Sequence, residues 1–155
     1  MANYTTDDIK KLREETGAGM LDCKKCLDKA DGNYEEAVKL AMAKGLAKAE
    51  KKADRETKEG YIASYVHSNS KVAGLVEILC ETDYVARNDE FQQMASNVAM
   101  QVVAMNPTTV EELLEQSFIK DPDLTIEELV KRTSGKIGEK FVINRFVRYE
   151  VGEEA

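Results

Sequence analysis

The residue types with chemistry to offer are few, and their spacing decides most of what they can do. Cys23-x-x-Cys26 has the spacing of a redox pair or of half a zinc site, and Cys80 with His67 brings the tally to Cys₃His. Such a site needs a second closely spaced ligand pair, which the sequence does not supply. Helical periodicity instead sets Cys23 on one apolar stripe with Met20 and Leu27, where a free cysteine packs as a small hydrophobe. Three cysteines are an odd count in a sequence free of secretory features, which predicts reduced thiols. His67 is the only histidine; it falls near a predicted strand end, and no motif sets a nucleophile beside it. Gly17-Ala18-Gly19 follows a predicted helix and lacks the Gly-Lys-Ser/Thr of a phosphate loop, so it reads as a tight turn. The expectation is a chain with no metal, no cofactor, no bound nucleotide and no catalytic group.

What remains is the run Glu81-Thr82-Asp83-Tyr84-Val85-Ala86-Arg87-Asn88, an acid beside a large aromatic directly after the most apolar stretch of the chain. Read alone, Asp83 and Tyr84 are equally a helix cap with a core aromatic, or a rigidly mounted probe for another protein's pocket. Met20 and Leu21 leave a similar choice. Adjacent residues on a helix cannot both point fully inward, so either one is offered to a partner or both pack at the edge of a small bundle.

The elements that must hold these residues divide the chain into a module over 1–45, a charged linker or helix extension over 46–59, and a core over 60–155. Thr5-Thr6-Asp7-Asp8 predicts a helix start and Gly17 its end; a second helix carries Met20, Cys23 and Leu27 to the Asp31-Gly32-Asn33 stop; a third runs to about Gly45. Three short helices with glycine-bearing turns look like a ubiquitin-associated-type module. Tyr61 to His67 and Val72 to Cys80 then read as a hairpin, and Phe91 to Val103 as a long amphipathic helix from Asn88 to Asn106-Pro107. Thr108-x-x-Glu111 and Thr125-x-x-Glu128 resemble capping boxes of two shorter helices, the second ending near Gly138. Phe141, Ile143, Val147, Tyr149 and Val151 alternate along a last strand, with Arg145 and Arg148 on opposite faces. The predicted class is α+β: the three-helix module, then a three-stranded antiparallel sheet with helices packed on one face.

One-third of the 155 residues are charged, the formal net charge is −7, and no apolar run approaches the ~20 residues that span a bilayer. A membrane role is not expected. The acidic balance also argues against nucleic acid as the ligand. Lys48, Lys51, Lys52, Arg55 and Lys58 do cluster, but Glu50, Asp54, Glu56 and Glu59 are threaded among them, as on a solvated helix face or linker. Met1-Ala2-Asn3-Tyr4 offers no signal or transit pattern, so a cytoplasmic location is expected.

Three ordered blocks resemble the elongation factor Ts family. Leu79-Cys80-Glu81-Thr82-Asp83-Tyr84-Val85-Ala86-Arg87-Asn88 is similar to its cysteine-x-threonine-aspartate-phenylalanine-valine-alanine signature, with tyrosine for phenylalanine. Leu12 to Leu27, with Thr16-Gly17-Ala18-Gly19-Met20-Leu21-Asp22, is similar to its amino-terminal block. Lys136-Ile137-Gly138-Glu139 and Arg145 to Gly152 are similar to the end of its core. The resemblance implies a protein that is no enzyme and that releases GDP from the GTPase elongation factor Tu. It implies an exchange wedge of Asp83 and Tyr84, a grip by Lys10, Arg13, Met20, Leu21 and Lys24, and core contacts from Thr82, Val85, His67 and Ile143. Longer members carry two related core halves and a helical hairpin; this chain reads as one half without the hairpin, which implies a homodimer. Two other classes stay in view: an adaptor for ubiquitin-like domains using the three-helix module alone, and a small thiol enzyme.

Overall fold

The computed structural model describes residues 3–50 and 52–154, the side chains of residues 46–50 excepted. The chain forms two compact units, Met1–Asp54 with Lys131–Gly138, and Arg55–Val130 with Glu139–Ala155.

In the first unit, α1 (Thr6–Thr16) begins at a reciprocal capping box, in which Asp8 N–H donates to the Thr5 hydroxyl and the Asp8 carboxylate accepts from Thr5 N–H. It ends at Gly17, whose φ of 70° is left-handed; a Cβ there would lie 2.5 Å from the Lys136 side chain. α2 (Met20–Lys29) stops before Asp31 and Gly32, both at positive φ. Leu12, Cys23, Cys26, Leu27, Ala37 and Ala41 form the core of the three helices, lined by Ile9, Tyr34 and Val38. The third helix does not stop near Gly45: α3 runs Tyr34–Glu50. Glycine lowers helix propensity by about 1 kcal/mol, too little to end a run of good helix formers on both sides.

The charged run after that helix needs a correction. Lys51 and the side chain of Lys48 lie outside the described residues, but Lys52 is only 8 % exposed and its ammonium donates to the Ser134 carbonyl at 3.2 Å. It is therefore not part of a solvated face.

In the second unit, β1 (Glu59–Val66), β2 (Val72–Cys80) and β5 (Val142–Glu150) form one antiparallel sheet in the order β1-β2-β5. Two helices lie on its inner side: the single turn α4 (Asp83–Ala86) and the long α5 (Asp89–Met105), whose Phe91, Met94, Val98 and Val102 are buried. Gly74 permits the close approach of α5, since a Cβ there would stand 3.0 Å from Val103. The inner face carries Ala63 opposite Val76, and Val76 opposite Phe146; Ile78 faces Ile143 one step along.

The expected alternation of the last strand fails at one residue. Glu77 pairs with Arg145 but Ile78 pairs with Ile143, so Asn144 is the extra residue of a β-bulge. The bulge reverses the phase: Phe141 and Ile143 point inward, while Val147 and Tyr149 are exposed on the outer face. Arg148 points inward instead, donating from Nε to the Val103 carbonyl at 3.1 Å near the end of α5.

The segment between α5 and the last helix was expected to hold one helix and no strand. It holds α6 (Val110–Glu115), capped by Thr109 one residue later than predicted, and a short ribbon of β3 (Ser117–Phe118) with β4 (Asp121–Thr125). Glu112 reaches back to Thr108, not Glu111. α7 (Ile126–Ile137) opens on the predicted Thr125–Glu128 box, with backbone-to-side-chain distances of 3.0 and 3.1 Å, and Gly138 follows at a φ of 98°.

Candidate partner-binding surface

Isolated four-residue helices are unstable in water, because the first turn fixes several dihedrals for one hydrogen bond. α4 is held by its surroundings. Thr82, not Asp83, is its N-cap: the Thr82 hydroxyl accepts from Val85 N–H at 3.3 Å. Val85 and Ala86 are buried beneath the turn, and the Ala86 carbonyl accepts from Gln92 Nε2 at 3.1 Å. Asn88 then caps α5 through Oδ1 to the N–H groups of Glu90 and Phe91, at 2.9 and 3.1 Å.

This mounting leaves Tyr84 pointing away from the core. It is 80 % exposed, the most exposed of the large apolar or aromatic side chains among the described residues, so it is no core aromatic. Asp83 is also exposed and pairs with Arg87 one turn on. Arg87 was not singled out from sequence, although its i,i+4 spacing from Asp83 would have flagged it. Thr82 is exposed beside the pair. Val85 is 4 % exposed and Ile143 is likewise buried, which puts both under the surface as supports.

His67 stands apart from this group. It precedes the β1–β2 turn, with its N–H donating to the Val72 carbonyl at 2.9 Å and its Nδ1 3.2 Å from the Tyr65 hydroxyl. The pair Asp83 and Tyr84 follows the opposite end of β2, so the nine residues of that strand separate them, about 30 Å at the usual rise. His67 and the Asp-Tyr pair are two separate places on the second unit.

On the first unit, Lys10, Arg13, Met20, Leu21 and Lys24 are all exposed, Lys10 and Arg13 on one face of α1 and the others on the first turns of α2. Leu21 is 75 % exposed and Met20 39 %, so the two do not both pack at the edge of the bundle. Asp22 beside it is bound to Lys44 of α3 at 2.9 Å.

The three cysteines are buried free thiols, Cys23 and Cys26 on α2 and Cys80 at the end of β2. Burial pushes all three up; for Cys80, with help from the Glu139 carboxylate, up to about 11. Among the described residues, no group of three or more His, Cys, Asp or Glu could hold a metal, and no helix is long and apolar enough to cross a membrane.

The profile of the family described as Elongation factor TS matches residues 35–112 and 81–155. The chain is 42 % identical to an elongation factor Ts of Finegoldia magna, covering 99 % of this chain and 92 % of that one. It is 40 % identical to that of Fervidobacterium nodosum (94 % and 96 % covered) and 39 % identical to the chloroplastic one of Rhodomonas salina (98 % and 90 %). The Finegoldia match runs over 206 aligned positions against the 155 residues present here, so the relative carries segments without a counterpart in this chain. On profile and identity together, this chain belongs to the elongation factor Ts family and is a translation elongation factor.

Proposed function

We propose that this chain is the guanine-nucleotide exchange factor of elongation factor Tu, acting on the GDP-bound GTPase in the cytoplasm without covalent chemistry. The observation that carries this reading is the pairing of an exposed acid with an 80 % exposed tyrosine on a helical turn that the core holds in place. A folded chain gains nothing by keeping such an aromatic in water, whereas a partner's pocket would bury it.

Exchange requires that the factor bind best to the GTPase conformation that holds GDP poorly, and by linkage GDP weakens the factor equally. Tyr84 would enter between helices of the GTPase near its Mg²⁺ and phosphate loop. Asp83 would disturb the charge balance there, while Thr82 keeps the turn formed. Val85 and Ile143 act as the packing beneath. Release accelerated ten-thousandfold asks for a barrier lower by about 5.5 kcal/mol, within reach of one buried aromatic anchor and altered charge contacts. Lys10, Arg13, Met20, Leu21 and Lys24 would grip the GTPase from the three-helix module, and His67 would make a further contact at its own end of the sheet.

The outer face of the sheet supports the dimer as part of the same reading. Ile62, Val66, Leu75, Val147 and Tyr149 are exposed there together, beside the Glu77–Arg145 pair. A second copy is the proposed occupant, because one core half here would be doubled to match the two halves of longer relatives.

The test is Asp83→Ala with Tyr84→Ala. Both side chains are exposed, so the melting temperature should move by less than about 3 °C. Release of GDP from elongation factor Tu at saturating factor should slow at least about hundredfold, the loss of roughly 2.7 kcal/mol of transition-state binding. Unchanged exchange in the folded double variant would remove the wedge from the account.

A further inference from the structure

The turn that carries Asp83 and Tyr84 is tied to a distant segment by two carboxylates that work reciprocally. Glu139 Oε1 accepts from the N–H groups of Glu81 at 3.0 Å and Thr82 at 3.1 Å, and Glu139 Oε2 accepts from the Thr82 hydroxyl at 2.7 Å. In return, Glu81 Oε1 accepts from Lys140 N–H at 2.9 Å and from Arg55 at 3.3 Å. The two strips are 57 and 58 residues apart in sequence.

The hydroxyl of Thr82 has one proton and two lone pairs. With the proton taken by Glu139, a lone pair is left facing Val85 N–H, which is the cap of the turn. Three donors converge on one carboxylate that can only accept, and charge-assisted bonds of this kind are the strong ones. α4 is too short to hold itself, so the direction in which Tyr84 projects depends on where Thr82 is pinned.

We propose that Glu139 is a positioning residue for nucleotide exchange: through Thr82 it fixes the turn that presents Asp83 and Tyr84, with Glu81 holding the Glu139–Lys140 strip in register. This rests on the exchange-wedge reading of those two residues. Glu139 acts by pre-organising the wedge, so that its ordering need not be met on binding.

Two measurements on the full chain test it. In the free protein, Glu139→Ala should lower amide hydrogen-exchange protection at Val85 by about tenfold, on the scale of one lost charge-assisted hydrogen bond, while Val98 in α5 keeps its protection. With elongation factor Tu and a fluorescent GDP analogue, the same variant should lower the saturating release rate about tenfold or more with little change in the half-saturating concentration. Glu139→Gln should fall between wild type and Glu139→Ala, because its amide keeps one acceptor oxygen. Thr82→Val, which removes only the hydroxyl, should reproduce part of the loss and stands in if Glu139→Ala fails to fold. Combined with Asp83→Ala and Tyr84→Ala, Glu139→Ala should add no further loss. Full protection at Val85, or full exchange in Glu139→Ala while the wedge variant is slow, overturns the positioning role alone. A loss that simply adds to that of the wedge variant assigns Glu139 to general stability and overturns it as well. Normal exchange in the wedge variant itself overturns the reading on which the proposal stands.

Discussion

Cys80 lies two residues from the capping threonine, with its thiol donating to the Thr82 carbonyl at 3.2 Å, and its ionisation is written into stability. An unfolded cysteine titrates near ~8.5, and in the folded chain the thiol is pushed up to about 11. The folded state therefore holds this proton more tightly than the unfolded state does. The resulting stability is fully present below pH ~8.5 and is lost as pH rises from there toward about 11. Denaturant midpoints should fall across that window for the wild type and fall less for Cys80→Ala; equal slopes would contradict the burial argument. Cys23 and Cys26 shift in the same direction, and so do Tyr4 and Tyr34 above pH ~10, so a residual slope remains in that variant. At this scale the sequence was informative where chemistry is local. Cys23 on its apolar stripe read as a packed thiol, and Asp83-Tyr84 stood out by type. It could not tell a capping aspartate from a capping threonine one residue earlier, because both cap well. Nor could it find Glu139, whose three bonds to the 81–82 segment join residues nearly sixty positions apart.

Elements were legible wherever one face alone meets the core. β2 falls on the predicted residues, and α5 is capped at Asn88 and at Asn106, because cap, stripe and left-handed stop agree. The misses share a physical cause, a local rule overridden by tertiary partners. The β3–β4 ribbon has no alternating pattern of its own; it is anchored by Gln101, fully buried in the apolar stripe of α5. Gln101 Nε2 donates to the Ser117 carbonyl at 3.0 Å and its Oε1 accepts from Ile119 N–H at 3.0 Å. Gln101→Leu should keep the volume and strand both backbone groups, costing about 2–4 kcal/mol in denaturant unfolding. A cost below about 0.5 kcal/mol would mean that the ribbon does not depend on this amide. The bulge at Asn144 is a second such case. One inserted residue turned Val147 and Tyr149 outward, and no periodicity in the strand announces it.

At the scale of the whole molecule, the family and the α+β class could be read from three motif blocks, while the extent of the outer apolar face could not, since the bulge is what adds Val147 and Tyr149 to it. If that face joins two copies, sedimentation equilibrium at tens of micromolar should give twice the 17.3 kDa chain mass. Leu75→Glu with Val147→Glu should return it to the single-chain mass with its helical signal intact, and a wild-type monomer would contradict the dimer. Neither result bears on the wedge, which stands on α4. The most direct test of the central claim is stopped-flow release of a fluorescent GDP analogue from elongation factor Tu at constant Mg²⁺, with the wild-type chain and with Asp83→Ala/Tyr84→Ala. The expected result is strong acceleration by the wild type, saturating with its concentration, and nearly none by the folded double variant. Binding of the wild type without faster release, or equal acceleration by both proteins, would contradict it.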